Sequence, residues 1–160
     1  GCAITAVIEG TRPIAVEVQA LAVNSHLAAP RRVASGIEAS RLHLLLAVLA
    51  RRAGIDAGNM DVVATVSAGL RLRDPAADLA ILVALASAVR DRPLTPHTAL
   101  LGEVALSGSV RPVQQAQRRL VELSRLGIRR VIGPPGLDAV EGVAVVSVAT
   151  VREAIAAAVS

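Results

Sequence analysis

Hydrophobic residues recur along the chain with two periods, and the switches between them mark out the elements. Cys2–Glu9 and Ile14–Ala22 are dense in Ile, Val, Ala and Thr, with Gly10-Thr11-Arg12-Pro13 between them. That pattern predicts a β-hairpin with Arg12 at its turn. A loop follows over Val23–Pro30, then a short strand or its approach at Arg31–Ala34. Ser35 and Glu38 have the spacing of a capping box. Leu42, Leu45, Leu46 and Leu49 then keep a helical period to about Ala53, where Gly54 stops it behind Arg51 and Arg52. Asp61–Ser67 reads as a buried strand. Asp74-Pro75 opens a helix, with Asp at the N-cap and Pro at the first helical position. Its continuation, Leu79–Val89, is apolar on nearly every face and predicts a central helix.

Asp91-Arg92-Pro93 ends that helix, and Ala99–Leu106 is strand-like, turning at Ser107-Gly108-Ser109 toward Val110–Val113. Ala116, Leu120 and Leu123 define one face of a further helix; Gln115, Arg118, Arg119, Glu122 and Arg125 define the other, and Gly127 closes it. Arg130–Ile132 and Val143–Val148 complete the strands, and Thr150-x-x-Glu153 caps a last Ala-rich helix. Gly133-Pro134-Pro135-Gly136 is the expected mobile loop. The sum is one α/β (α+β) domain over residues 1–160, without repeats or linkers.

Composition narrows the chemistry. The chain has no Phe, Trp or Tyr, so it offers no aromatic platform for stacking bases. It has no lysine either: all 17 cationic side chains are Arg, which excludes a Walker-type phosphate loop and any Ser–Lys dyad within it. The single cysteine, Cys2, excludes an internal disulfide and a multi-cysteine zinc site. Uncharged runs such as Leu79–Val89 fall short of the ~18 apolar residues of a spanning helix. The chain opens Gly1-Cys2 and is expected to be part of a longer protein.

The net charge of +4 is unevenly placed. Arg111–Arg130 holds six arginines against one acid, Glu122, while the remaining eleven arginines face twelve acids. Arg12 precedes Pro13 at one turn and Arg111 precedes Pro112 after another, positions that project from strand ends. Guanidinium groups bind phosphates bidentately without aromatic help. Two readings stay open at this level: a phosphate-binding surface, or the solvated face of a protein that uses Arg in place of Lys.

Other constellations are weaker. His26, His43 and His97 lack metal-ligand spacing, and His43 fits a packing or rim position in its helix. No Gly-x-Ser-x-Gly elbow supports a Ser–His–Asp triad. The glycines of Gly102–Gly108 do not make a dinucleotide fingerprint. Asp74 and Asp78 are explained as an N-cap and a first-turn acid facing the helix dipole.

Several segments, in order, resemble one known family. Glu9-Gly10-Thr11-Arg12-Pro13 with Val16–Leu21, Pro30-Arg31-Arg32-Val33-Ala34-Ser35-Gly36, Gly69-Leu70-Arg71-Leu72, Asp74–Ala80, Gly102-Glu103-Val104, Val110-Arg111-Pro112-Val113 and Arg118-Arg119-Leu120 look like the C-terminal, Lon-protease-like domain of the bacterial RadA (Sms) family. The resemblance implies the Lon proteolytic-domain fold, which is shared with the second domain of ribosomal protein S5. It also implies a parent DNA repair and recombination ATPase with a zinc finger and a RecA-like motor that drives branch migration. Neither of those parts is in this chain, so ATP, Mg and Zn are implied only for them and no cofactor or metal for this domain.

The Lon serine position falls on Ala76 and the lysine position on Gln117, so the resemblance implies a pseudo-protease, not an enzyme in its own right. It further implies a cytoplasmic homo-hexamer, off the membrane, that contacts DNA through phosphates, single-stranded DNA first. Arg12 and Arg111 match that role, with Arg31, Arg32 and Arg41 beside them. The alternative is a purely structural oligomerisation domain with no DNA contact.

Overall fold

The computed structural model describes residues 1–159; the expected limit, Ser160, lies outside them. The hairpin forms as its pattern demands. Strands β1 (Cys2–Glu9) and β2 (Arg12–Asn24) pair antiparallel with Glu9 opposite Arg12, so Gly10 and Thr11 alone make the turn. A two-residue hairpin loop needs positive φ, which Gly10 supplies at +61°. Around this hairpin stand β3 (Arg32–Ser35), β4 (Met60–Val66), β5 (Thr98–Leu100), β8 (Arg130–Gly133) and β9 (Ala144–Ser147). The sheet order is β3-β4-β2-β1-β5-β8-β9, with β1–β2 and β2–β4 antiparallel and the other neighbours parallel. Two short strands, β6 (Glu103–Val104) and β7 (Val110–Arg111), make a separate hairpin.

Helices cover the sheet unequally. On one face lie α1 (Ala39–Ala53), α2 (Asp78–Arg90) and α4 (Val151–Ala158), burying Leu42, Leu45, Leu49, Leu82 and Ile155 against Ala3, Val7, Val16 and Val18. On the other face α3 (Ala116–Arg125) packs Leu120 and Leu123 against Ala6, Ala99 and Val131. Successive residues of β1 thus serve both cores, as a strand's alternation requires. α2 is buried from Asp78 through Ser87 and is the central helix its all-apolar sequence predicts.

Four local expectations change. Ser35 does not cap α1: it stays paired in β3 opposite Thr65, and Gly36, at φ +83°, turns the chain so that the helix starts after Glu38 without a side-chain cap. The strand expected over Ala99–Leu106 breaks after Leu100, because Gly102 leaves the sheet to donate to the Ala76 carbonyl and accept from the Leu79 N–H. Arg119, expected on the outer face of α3, is 3% exposed. Gly133 and Pro134 are buried, and Gly133 lies so close to Leu137 that a Cβ would sit 2.4 Å from its Cδ1, so the first half of the expected loop is packed. The Thr150 cap forms as expected, accepting from the Glu153 N–H at 3.2 Å while Glu153 accepts from the Ala149 N–H at 3.0 Å.

Gly36 has the stricter backbone requirement, since a Cβ there would lie 2.4 Å from the Leu70 carbonyl oxygen, whereas one at Gly10 meets nothing within 4 Å. Gly10→Ala should therefore cost about 1–2 kcal/mol, the left-handed penalty alone. Gly36→Ala should cost clearly more in urea unfolding followed by circular dichroism. Equal losses would show that the contact with Leu70 imposes no constraint.

Candidate nucleic-acid interface

The segment Gly69–Ala76 runs along the surface between β4 and α2, and four adjoining depressions open along it. Arg73 lines three of them; Asp74 lines the third and the fourth. Gly36, Glu38 and Arg41 wall one end, Glu9 of the hairpin the middle, and Ala76, Glu103 and Pro112 the other end. The result is a groove flanked by the ends of several elements.

Asp74 fixes its centre. One carboxylate oxygen accepts from the Ala76 N–H at 3.0 Å, capping the 3-10 turn Pro75–Ala77 that leads into α2. The other accepts from the Ile8 N–H at 3.0 Å and from Arg119 Nη1 at 2.5 Å. Arg119 also donates to the carbonyls of Ala6 and Gln114, at 2.9 and 2.8 Å. Burial pushes the Asp74 carboxyl up, but Arg119 and the two backbone donors outweigh it and hold the group below the usual carboxylate range.

Asp78, four residues on, is more than a first-turn acid. It is 2% exposed, accepts from the Val104 N–H at 3.2 Å and pairs with Arg41 Nε at 3.1 Å. Burial dominates there and raises its pKa to about 6, against the lowering effects of Val104 and Arg41.

The five arginines singled out from sequence do not converge. Arg12 and Arg111 are exposed and do not line the groove themselves but adjoin residues that do: Arg12 is opposite Glu9 in the backbone register of the hairpin, and Arg111 is opposite Glu103 and beside Pro112. Arg41 lines one end, partly drawn inward by Asp78. Arg31 and Arg32 lie at the far end of β3, about 13 Å of extended chain from Ser35. Arg31 is exposed, its N–H donating to Asp61 at 2.7 Å, whereas the Arg32 guanidinium is engaged by the carbonyls of Met60 and Ala57.

Nor is the basic run Arg111–Arg130 a free patch. Arg118 joins Gln115 and the Thr11 carbonyl, Arg119 is internal, Arg125 pairs with Glu122, and Arg130 donates to the Ala157 carbonyl. Two groove cations escaped the sequence reading: Arg71 and Arg73, both exposed. The available signals were their alternation with Leu72 and, for Arg71, its place in the resembling segment Gly69-Leu70-Arg71-Leu72.

Ala76 is buried at the end of the groove, and Gln117 is exposed in the first turn of α3, outside the residues that line it. The side chains around Ala76 that can ionise are Asp74, Glu103 and Arg119. All three histidines are exposed. Among the described residues no group of three or more His, Cys, Asp or Glu is placed to hold a metal ion, and no helix is long and apolar enough to cross a membrane.

Residues 15–136 match the family model described as subunit ChlI of Mg-chelatase. The chain is also 43% identical over 159 residues to a protein named DNA repair protein RadA from Bacillus subtilis, which covers 97% of this chain and 35% of that protein. A protein of the same name from Escherichia coli is 46% identical over 134 residues, 84% of this chain and 29% of that protein. Another from Pseudomonas aeruginosa is 44% identical over 158 residues, 97% and 35% respectively. The chain thus spans about a third of the length of these relatives.

Removing Arg119 would leave a half-buried carboxylate and two carbonyls without their donor, so Arg119→Ala should cost about 3–5 kcal/mol in urea unfolding. A loss below about 1 kcal/mol would mean that the pair contributes little. The two aspartates act on pH dependence with opposite signs. Asp74, its pKa lowered, contributes stability that is present above the ordinary value of 3.8 and lost as pH falls through its folded pKa. Asp78, its pKa raised, contributes stability that is full below 3.8 and lost as pH rises through about 6. Unfolding free energy measured from about pH 4 to 7 should therefore fall less in Asp78→Asn than in the parent; superimposable profiles would refute the assignment.

Proposed function

The chain belongs to the family described as subunit ChlI of Mg-chelatase and is similar over most of its length to RadA-named DNA repair proteins, and from this premise we propose that it is the DNA-holding, non-proteolytic module of a RadA-type repair and recombination ATPase. In this reading the domain has the Lon-like fold, carries no reaction of its own, and supports a branch-migrating motor elsewhere in the protein, arranged as a hexameric ring. The observation that carries the reading is that two exposed arginines at strand ends, Arg12 and Arg111, adjoin residues that line the groove, Arg12 opposite Glu9 and Arg111 opposite Glu103 and beside Pro112.

Guanidinium groups on such rigid supports would grip phosphates through charge-assisted hydrogen bonds, and phosphate contacts position a strand without reading its sequence. With no aromatic residue in the chain, backbone tracking is favoured over base stacking. Arg31 and Arg41 would contribute less, one by distance and the other by its tie to Asp78; Arg32 is committed to the Met60 and Ala57 carbonyls. At the protease positions, Ala76 has no nucleophilic atom and Gln117 no basic one, which supports a non-catalytic role.

A scaffold role without DNA contact has one observation in its favour. Leu21, Val63 and Val33 lie in one row across β2, β4 and the edge strand β3, at 62%, 37% and 48% exposure. Such a row on an uncovered sheet face suits burial against a neighbouring subunit.

The two readings separate in one experiment on Arg12→Ala/Arg111→Ala. As a DNA-holding module, the variant should bind end-labelled single-stranded DNA more weakly by fluorescence anisotropy. Its slope of log affinity on log salt should be shallower by about 1.4 for two lost contacts, and its mass by light scattering unchanged. Unchanged affinity defeats DNA contact through these residues, and a fall in mass with unchanged affinity favours the scaffold.

A further inference from the structure

Of the two outer strands of the sheet, only β3 brings a row of exposed apolar side chains to a free edge. Leu21, Val63 and Val33 stand opposite one another in register across β2, β4 and β3, and Val33, in the edge strand, is 48% exposed. Ala34, next along, packs on the core of the other face, as strand alternation requires. At the far edge β9 leaves Ala144 and Ser147 exposed and Val145 and Val146 half-buried, so no such row reaches it. β3 also lacks the usual protection of an edge, which charges or a proline commonly blunt. Arg32, the single charge in the strand, has its guanidinium drawn back to the Met60 and Ala57 carbonyls, and Pro30 lies outside the strand.

The backbone of β3 fixes what can pair with it. The Val62 N–H donates to the Arg31 carbonyl at 2.9 Å, so in this parallel ladder Arg31, Val33 and Ser35 face β4. Arg32 and Ala34 therefore turn their N–H and C=O groups outward. Consider β3 set antiparallel to the β3 of a second copy, about a two-fold axis at Val33. Arg32 then stands opposite Ala34 of the second copy, and Ala34 opposite its Arg32. These are hydrogen-bonded positions, so every outward group of both residues gains a partner. Val33 meets its counterpart at a non-hydrogen-bonded position, where side chains approach most closely. No like charges face each other across the pair, since Arg31 falls opposite Ser35 and Arg32 opposite Ala34.

We propose that the β3 edge is a homotypic pairing site, at which a second copy of this chain extends the sheet antiparallel about a two-fold axis at Val33. The two apolar rows then join end to end, and each Val33 covers the open side of the other. The inference rests on the apolar row of the scaffold reading and does not depend on contact with DNA. It also differs from a ring contact, because a two-fold pairing closes on itself after two copies. A short strand makes the contact small, so pairing depends on concentration.

The test uses the symmetry axis, where any substitution meets itself. The parent chain, Val33→Glu and Val33→Arg are each checked for folding by circular dichroism; the side chain replaced lies on the uncovered face, outside both cores. Sedimentation equilibrium then gives the mass of each, and of an equal mixture of the two variants, from about 10 µM to about 1 mM. The parent mass should rise with concentration from 16.4 kDa toward twice that value. Each variant alone should pair roughly tenfold or more weakly, because like charges stand directly opposite at the axis, and the mixture should recover the parent's association.

A parent that stays at the mass of one chain throughout overturns the proposal. Variants that both weaken but fail to recover when mixed also overturn it, since an interface that includes Val33 without placing it against itself gives that result. A mass that neither variant changes, whether of two chains or more, leaves the scaffold reading standing on other surfaces and overturns the pairing at this edge. Recovery in the mixture upholds the pairing even where the parent binds no DNA and the DNA-holding reading falls.

Discussion

Asp74 stands where the two halves of the fold meet, and the arrangement of everything around the groove depends on what its carboxylate accepts. It holds the end of β1 through Ile8, the start of α2 through Ala76 and the guanidinium of Arg119 from α3, on the opposite face of the sheet. Arg119 returns to β1 at Ala6 and to the chain before α3 at Gln114. A single ion pair, mostly withdrawn from water, thereby ties together elements from both cores. A carboxylate with three donors and a guanidinium with three acceptors satisfy the condition under which a buried pair holds: no lone charge is left over.

The same accounting sorts the arginines. In a chain without lysine, guanidinium groups must serve as internal fasteners as well as surface charge, and their planar array of donors suits carbonyls at element ends. Arg32 fastens β3 to the turn before β4, Arg118 fastens α3 to the hairpin turn, and Arg130 fastens β8 to α4. The run with the greatest charge excess is therefore largely consumed by the fold. The arginines without a side-chain partner among the described residues include Arg12, Arg71, Arg73 and Arg111 around the groove and Arg31, Arg51, Arg90, Arg92 and Arg129 elsewhere; of these only Arg111 and Arg129 belong to that run.

The turn that carries Ala76 also builds the groove. Ala76 is packed between the Asp74 cap and Gly102, whose N–H it accepts, while Asp78 just beyond it anchors Arg41 on α1 and Val104 on β6.

Local periodicity was enough for most elements. The hairpin turn, the all-apolar α2, the Asp74-Pro75 helix start, the Gly54 stop and the Thr150 cap are set by residues a few positions apart, and those signals are written in the order of the chain. Ser35 shows where that logic ends: its spacing to Glu38 is right for a cap, but pairing with Thr65 claims it for a strand. Arg119 and Asp78 show the same for charge, since helical spacing placed them at the surface and partners 45 and 26 positions away drew them inside. Which arginines are fasteners and which remain free was likewise beyond the sequence, because a guanidinium's partner is set by what folding brings within 3 Å of it. The elements follow from short-range chemistry, whereas the groove exists only because contacts distant in sequence have chosen which charges to bury.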